Sequence, residues 1–361
     1  MRSRSHLVYA SAYLRHLLRQ RGVGRVTVVN LGLGAFLGVE QVTEGDVTSR
    51  LPAGEHISVE HARSAENWRA KPGEALIYLA VGAPGIKPYL RLLLANRSRL
   101  HRVVVDEGLG SYGGWRARWA AGRRQGGRGL RALLRAVAVT LAQRCFTDER
   151  WALYRRTGSG WRLDSRIASE FRAQLAPAAP GAGNRAVVLL SQPWVELGQL
   201  SAERYLAVLQ DVRRSCAAAG LSLRVRTHPA EDETRYALLQ RDGCLDDGSG
   251  PAELDRTVVD AATVLGFNST ALINLSAVFG TPVLRLALPE LAAVETGMSA
   301  GQASLLDAFV PGPVPISELT DRLRAEQRRL AVPRNGSGPP PRDGTQRENG
   351  AYGRAASRQV S

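Results

Sequence analysis

Apolar residues along the chain fall into short blocks bounded by glycine and proline, and their spacing alternates between extended and helical periods. Leu7 to Ala10 reads as a first short strand, and Ala12 to Gln20 has helical spacing through Leu14, Leu17 and Leu18. Val26 to Asn30 is a β-branched strand ending in a glycine turn. Ala75 to Val81, set between Pro72-Gly73 and Pro84-Gly85, and Val103 to Val105 are further buried strands. A second series starts at the strand Ala186 to Ser191. The helix Ser201 to Ala219 follows, opened by a weak Ser201 cap, and then the strand Leu221 to Arg226. Val258 to Phe267 runs from a helix end into a strand. Ser269 to Phe279 is an almost wholly apolar helix that Gly280 closes, with Pro282 beyond. Val283 to Leu288 is the next strand, and Leu319 to Leu330 a charged terminal helix. Strands and helices in alternation predict parallel α/β architecture.

Small residues, proline and glycine from Ala176 to Asn184 interrupt this order as a linker. The expected organisation is a first domain over 1–175, a second over 185–331 and a disordered tail over 332–361, where Pro, Gly, Ser and Arg replace large apolar residues. Ligands of such sheets sit beyond the C-terminal ends of strands, so the chemistry is expected there.

Composition narrows the classes. The chain is 44% hydrophobic, yet no stretch approaches the ~20 apolar residues of a membrane span. Tyr9, Arg15, His16 and Arg19 break up the first segment, so no secretory apolar region forms and a cytoplasmic location is expected. Cys145, Cys216 and Cys244 are scattered and odd in number. They read as reduced, mostly buried thiols without metal-ligand spacing, so no metal or redox cofactor is expected. The net charge of +15 is nearly all arginine, Lys71 and Lys87 being the only lysines. That charge suits a nucleic acid, an anionic membrane leaflet or an acidic polymer. No nucleic-acid module accompanies it, so no specific nucleic acid is expected. Gly32, Gly34 and Gly38 are spaced G-x-G-x-x-x-G and miss the dinucleotide fingerprint, which sets aside a nicotinamide oxidoreductase.

Three short motifs stand at predicted strand ends. Asp106-Glu107-Gly108 follows Val103 to Val105 and offers a carboxylate as general base, with a glycine that lets substrate approach the backbone. His228-Pro229 follows Leu221 to Arg226. The proline holds the histidine extended, and an imidazole can protonate or hydrogen-bond a departing phosphate. Asn268-Ser269-Thr270 opens the apolar helix, where free N–H groups, the helix dipole and two hydroxyls suit phosphate. Singly, these also read as an acidic turn, a loop histidine and a plain N-cap. Their common position, one motif in the first domain and two in the second, sets them on the rim of one cleft.

The segments VVVDEGLGSY (Val103 to Tyr112), LLSQPWVE (Leu189 to Glu196), RTHP (Arg226 to Pro229) and LGFNSTALINLSAVFGTPVL (Leu265 to Leu284) resemble the bacterial alpha-2,8-polysialyltransferase family. Leu7 to Leu18, with Ser11 and Tyr13, is similar to that family's first strand and loop, and the resemblance covers roughly residues 5 to 330. It implies a GT-B fold, two Rossmann-like domains facing a cleft, and inverting, metal-independent transfer from CMP-sialic acid to a glycan acceptor. The glycan would be anionic and of capsule or surface-polysaccharide type. By the same resemblance Asp106 or Glu107, with Asp106 favoured, deprotonates the acceptor. His228 stabilises the leaving phosphate, and Ser269 and Thr270 hold it. Gly108, Gln192, Pro229 and Asn268 complete the donor site. CMP-sugar is then a co-substrate, with no further cofactor.

One stretch departs from that family pattern. Leu109 to Thr147 carries eight arginines and no acid, and as a helix Leu130, Leu133, Leu134 and Val137 would share one face. The part over 115–135 suits the inner leaflet, which would make the protein peripheral, or an acidic glycan; a solvated basic loop has equal standing. Rival readings are another CMP- or CDP-donor transferase, for Kdo or a polyol phosphate, and a non-catalytic binder of polyanion or membrane on the same scaffold.

Overall fold

The computed structural model describes residues 4–331 apart from 21–22, 32–41, 63–67, 83–85, 97–99, 125–126, 128, 146, 176–185, 247 and 249. The expected linker, the glycines at 32, 34 and 38 and the expected disordered tail lie outside the described residues.

Helix α1 (Arg4–Leu18) opens the chain, followed by β1 (Val26–Leu31), α2 (Glu44–Arg50) and β2 (Ile57–Ala62), with β1 and β2 paired in parallel. Strands β3 (Leu76–Val81), β4 (Leu100–Asp106) and β5 (Glu149–Ala152) form a second parallel sheet with β4 central. Helix α3 (Ile86–Asn96) lies between β3 and β4 in the chain. Helices α4 (Gly108–Ser111), α5 (Trp115–Arg124) and α6 (Gly129–Cys145) lie between β4 and β5. A hairpin of β6 (Tyr154–Thr157) and β7 (Gly160–Leu163) and helix α7 (Ser165–Gln174) end the first half. The second half is one parallel five-stranded sheet of β8 (Ala186–Leu190), β9 (Ser222–Arg226), β10 (Thr263–Gly266), β11 (Val283–Ala287) and β12 (Val314–Pro315). Its order is β12-β11-β10-β8-β9, with α8 (Ala202–Ala218) crossing between β8 and β9.

The α/β architecture with parallel sheets is as expected, though the first half divides its strands between two parallel sheets and an antiparallel hairpin. Strand β8, AVVLL, is buried along its whole length, as an interior strand of a parallel sheet must be. Helix α8 buries Tyr205, Val208, Leu209, Val212 and Cys216 at helical spacing, and Ser201 Oγ accepts from Arg204 N at 3.1 Å. The core is continuous across the halves. One apolar cluster holds Tyr9, Val103 and Phe171 together with Val264, Leu272 and Leu305.

Two expectations fail. Leu7 to Ala10 is not a strand but part of α1. That run is buried on every side, so no polar face marked its helical period, and periodicity cannot separate a buried helix from a buried strand. It packs on α7, with Tyr9 edge-on to Phe171 at 5.4 Å and Ser11 Oγ donating to Glu170 Oε1 at 2.6 Å. The cysteines are free but not mostly buried: Cys145 is exposed and Cys244 half-buried, while burial pushes the Cys216 thiol up to about 12.

Candidate active site

The C-terminal ends of β8, β9 and β10 lie side by side because the three strands are parallel neighbours. The end of β4 reaches the same rim through residues 108–112, which the second half clamps. Leu109 N donates to Thr270 Oγ1 at 3.1 Å, Gln302 Nε2 to Leu109 O at 3.0 Å and Ser299 Oγ to Tyr112 O at 3.3 Å. Gly108 opens α4 at φ 58°. A Cβ on Gly108 would stand 2.6 Å from Thr270 Cγ2, so only glycine fits.

Asp106 ends β4 and is 2% exposed. Its Oδ2 receives Arg150 Nε at 2.5 Å from the adjacent β5, while its buried Oδ1 has no hydrogen-bond partner. Burial pushes its pKa above the ordinary aspartate value, against the pull of Arg150 and Arg118. A carboxylate with one oriented oxygen and one unpaired oxygen can accept a proton from a ligand brought to it. Glu107 is fastened instead to α1: its Oε2 meets His6 Nε2 at 2.6 Å, and its amide donates to Ser111 Oγ at 2.9 Å.

The turn after β9 fixes His228. Its amide donates to Ser191 Oγ at 2.9 Å and Glu231 Oε2 at 2.7 Å, and Ala230 N donates to Nδ1 at 3.1 Å. Nδ1 therefore accepts, and the neutral ring carries its proton on Nε2. Burial lowers the His228 pKa, with Glu196 opposing, which favours that neutral donor. Glu231 is itself held by Ser191 and by Tyr236 OH at 2.7 Å, and burial raises its pKa. Pro229 is exposed beside the histidine.

Gln192 and Asn268 meet at the ends of β8 and β10, where Gln192 Nε2 donates to Asn268 O at 3.5 Å. Gln192 Oε1 and Asn268 Oδ1 are both buried without a partner. Leaving such an acceptor unfilled costs about 1–3 kcal/mol, so this corner suits ligand N–H or O–H donors. Ser269 caps its helix, accepting from Ala271 N at 3.2 Å. Its hydroxyl and that of Thr270 both accept from amides and keep a proton to donate. Among the described residues no group of three or more His, Cys, Asp or Glu could hold a metal ion.

Sequence reasoning missed the supports of this rim. Arg150 was one of many arginines. Tyr154 OH donates to Asn274 Oδ1 at 2.7 Å and Asn274 Nδ2 to Glu253 Oε1 at 3.1 Å, a buried chain that ties the halves together. Burial pushes the Glu253 pKa up. Asn274 carried a signal as a lone amide in an apolar helix; Glu253, an isolated acid in a loop, carried none.

The alpha-2,8-polysialyltransferase family model matches residues 39–287, and no curated protein sequence matches. Among solved structures the chain is similar to the glycotransferase of kitacinnamycin, with 12% identity over 70% of this chain and 72% of that one and a TM-score of 0.28. It is similar to the glycosyltransferase SnogD from Streptomyces nogalater, with 12% identity over 63% of each chain and a TM-score of 0.27. Spinosyn forosaminyltransferase SpnP matches at 14% identity over 64% of this chain and 61% of that one, with a TM-score of 0.27. The chain thus spans just under two thirds of the last two, and TM-scores this low carry no weight.

Proposed function

Because the chain belongs to the alpha-2,8-polysialyltransferase family, we propose that it moves sialic acid from CMP-sialic acid to a glycan acceptor, with inversion and without a metal ion. The observation that carries this reading is Asp106, oriented by Arg150 through one oxygen and unpaired at the other. The acceptor hydroxyl oxygen attacks the anomeric carbon and its proton passes to Asp106 Oδ1. The bond to CMP breaks, and its electron pair leaves on the phosphate oxygen. His228 meets that charge with its Nε2–H. The hydroxyls of Ser269 and Thr270 donate to the same phosphate, and the acceptors of Gln192 and Asn268 take N–H or O–H groups of the cytidine. Glu107, fastened by His6, holds the rim on the α1 side. Access to Asp106 requires the contact between Gly108 and Thr270 to part.

The test is release of free CMP from CMP-sialic acid, with CMP-Kdo and CDP-glycerol in parallel. This reading expects release from CMP-sialic acid alone. Preferred release from either rival donor would replace it with a Kdo or polyol-phosphate transferase.

A further inference from the structure

Six of the eight large apolar side chains exposed among the described residues share one region: Leu90, Leu94, Trp115, Leu130, Leu134 and Leu141. They lie on α3, α5 and α6, and α6 touches both of the others. On α6, Leu130, Leu134 and Leu141 fall within about 40° of arc at roughly 100° per residue. Arg131 and Arg135 border that stripe on one side and Arg144 on the other, all exposed. Leu90 and Leu94 stand one turn apart on α3, 48% and 70% exposed, beside exposed Arg91. Trp115 projects from α5 with the Arg116 guanidinium 5.3 Å from its ring. Not one acidic residue occurs in α3, α5 or α6. Arg118 of α5 is placed differently. It turns inward to Gln143 and to the carbonyls of Gly113 and Ser111, away from this face.

We propose that α3 and α6, with the tryptophan edge of α5, form a lipid-facing surface that seats the protein on an anionic bilayer. Leucines spaced as a stripe enter the acyl boundary, bordering arginines meet lipid phosphates, and tryptophan sits at the headgroup level. A second copy docked by twofold symmetry would set these arginines against one another with no acid to offset them. An acidic glycan would satisfy the arginines and leave the leucines in water. No described helix is long and apolar enough to cross a membrane, so the contact lies in the plane of the interface. The inference goes beyond the transferase reading and does not rest on it.

The full chain is sedimented with phosphatidylcholine vesicles, with and without about 30% phosphatidylglycerol, at roughly 0.15 M salt. Wild type is expected to sediment only with the anionic vesicles. Leu130→Gln/Leu134→Gln/Leu141→Gln and Arg131→Glu/Arg135→Glu should each lower the partition by more than about tenfold. Both should keep the wild-type melting temperature, because the replaced side chains are exposed. Four results would overturn the proposal: wild type left in the supernatant, a leucine variant that binds vesicles as wild type does, a dimer that the leucine variant splits, or loss of binding to polysialic acid with vesicle binding intact. No donor enters the assay, so its outcome is separate from that of the transferase reading.

Discussion

Gly108 and Thr270 meet across the two halves so closely that a Cβ on the glycine would lie within 3.0 Å of Thr270 Cβ and 2.6 Å of its Cγ2. The Gly108 backbone is also left-handed, at φ 58°. Gly108→Ala should therefore cost about 1–3 kcal/mol. Thr270→Ala, which removes the nearest side-chain atoms, should make the double variant more stable than the sum of the singles by roughly 0.5–2 kcal/mol. Urea denaturation of the four proteins measures this coupling, and strict additivity would mean that the two residues do not touch.

Asp106 and Arg150 set an acid limb in the pH profile. Burial raises the Asp106 pKa and Arg150 opposes it, so kcat/KM should rise with pH as this carboxylate deprotonates, above the ordinary aspartate range. Arg150→Gln removes the opposing cation and should move the limb to higher pH. The limb would stay in place if Asp106 were not the titrating base.

In the proposed reaction His228 is a neutral donor. With Nδ1 accepting from Ala230 N, the useful hydrogen is on Nε2. His228→Ala should lower CMP release about 10²–10⁴-fold. His228→Gln, which restores an N–H donor of similar reach, should recover part of that loss. Single-turnover rates compare the three, and equal loss in both variants would point to a protonated histidine instead.

Glu253 gives a stability test. Burial raises its folded-state pKa above the unfolded value. Between those two values the folded chain holds more protons than the unfolded one, so stability falls as pH rises through that window. Glu253→Gln keeps an acceptor for Asn274 Nδ2 and cannot ionise. Its stability should gain on wild type steadily as pH rises. Parallel urea curves at acidic and neutral pH decide the matter, and a constant difference would remove Glu253 as the titrating group.

Much of this molecule was written in its apolar periods. The strands at Val26, Leu76, Val103, Ala186, Leu221, Val264 and Val283 are found where their β-branched and leucine runs stand, most plainly at β8 and β10, which are buried along their whole length and so need a continuous apolar run. The two-half α/β order followed from their alternation with helices. Residues 7–10 escaped because full burial erased the polar face that marks a helix. In the site, the acid, histidine and hydroxyl motifs were visible because they sit at strand ends. Their supports were not. Arg150, Glu231, Asn274 and Glu253 act through contacts 3 to 120 positions away in the chain, and no spacing rule foretells which distant side chains will meet. On α6 the expected face of Leu130, Leu133, Leu134 and Val137 is exposed only at Leu130 and Leu134, Leu133 and Val137 being half-buried, and the addition of Leu141 and the continuation onto α3 needed the packing.

The most direct measurement is transfer of labelled sialic acid from CMP-sialic acid to a sialylated oligosaccharide, comparing wild type with Asp106→Asn and Glu107→Gln. The account predicts product from wild type, nearly none from Asp106→Asn, and appreciable product from Glu107→Gln. Product from Asp106→Asn together with an inactive Glu107→Gln would contradict it and hand the proton to the glutamate that His6 holds.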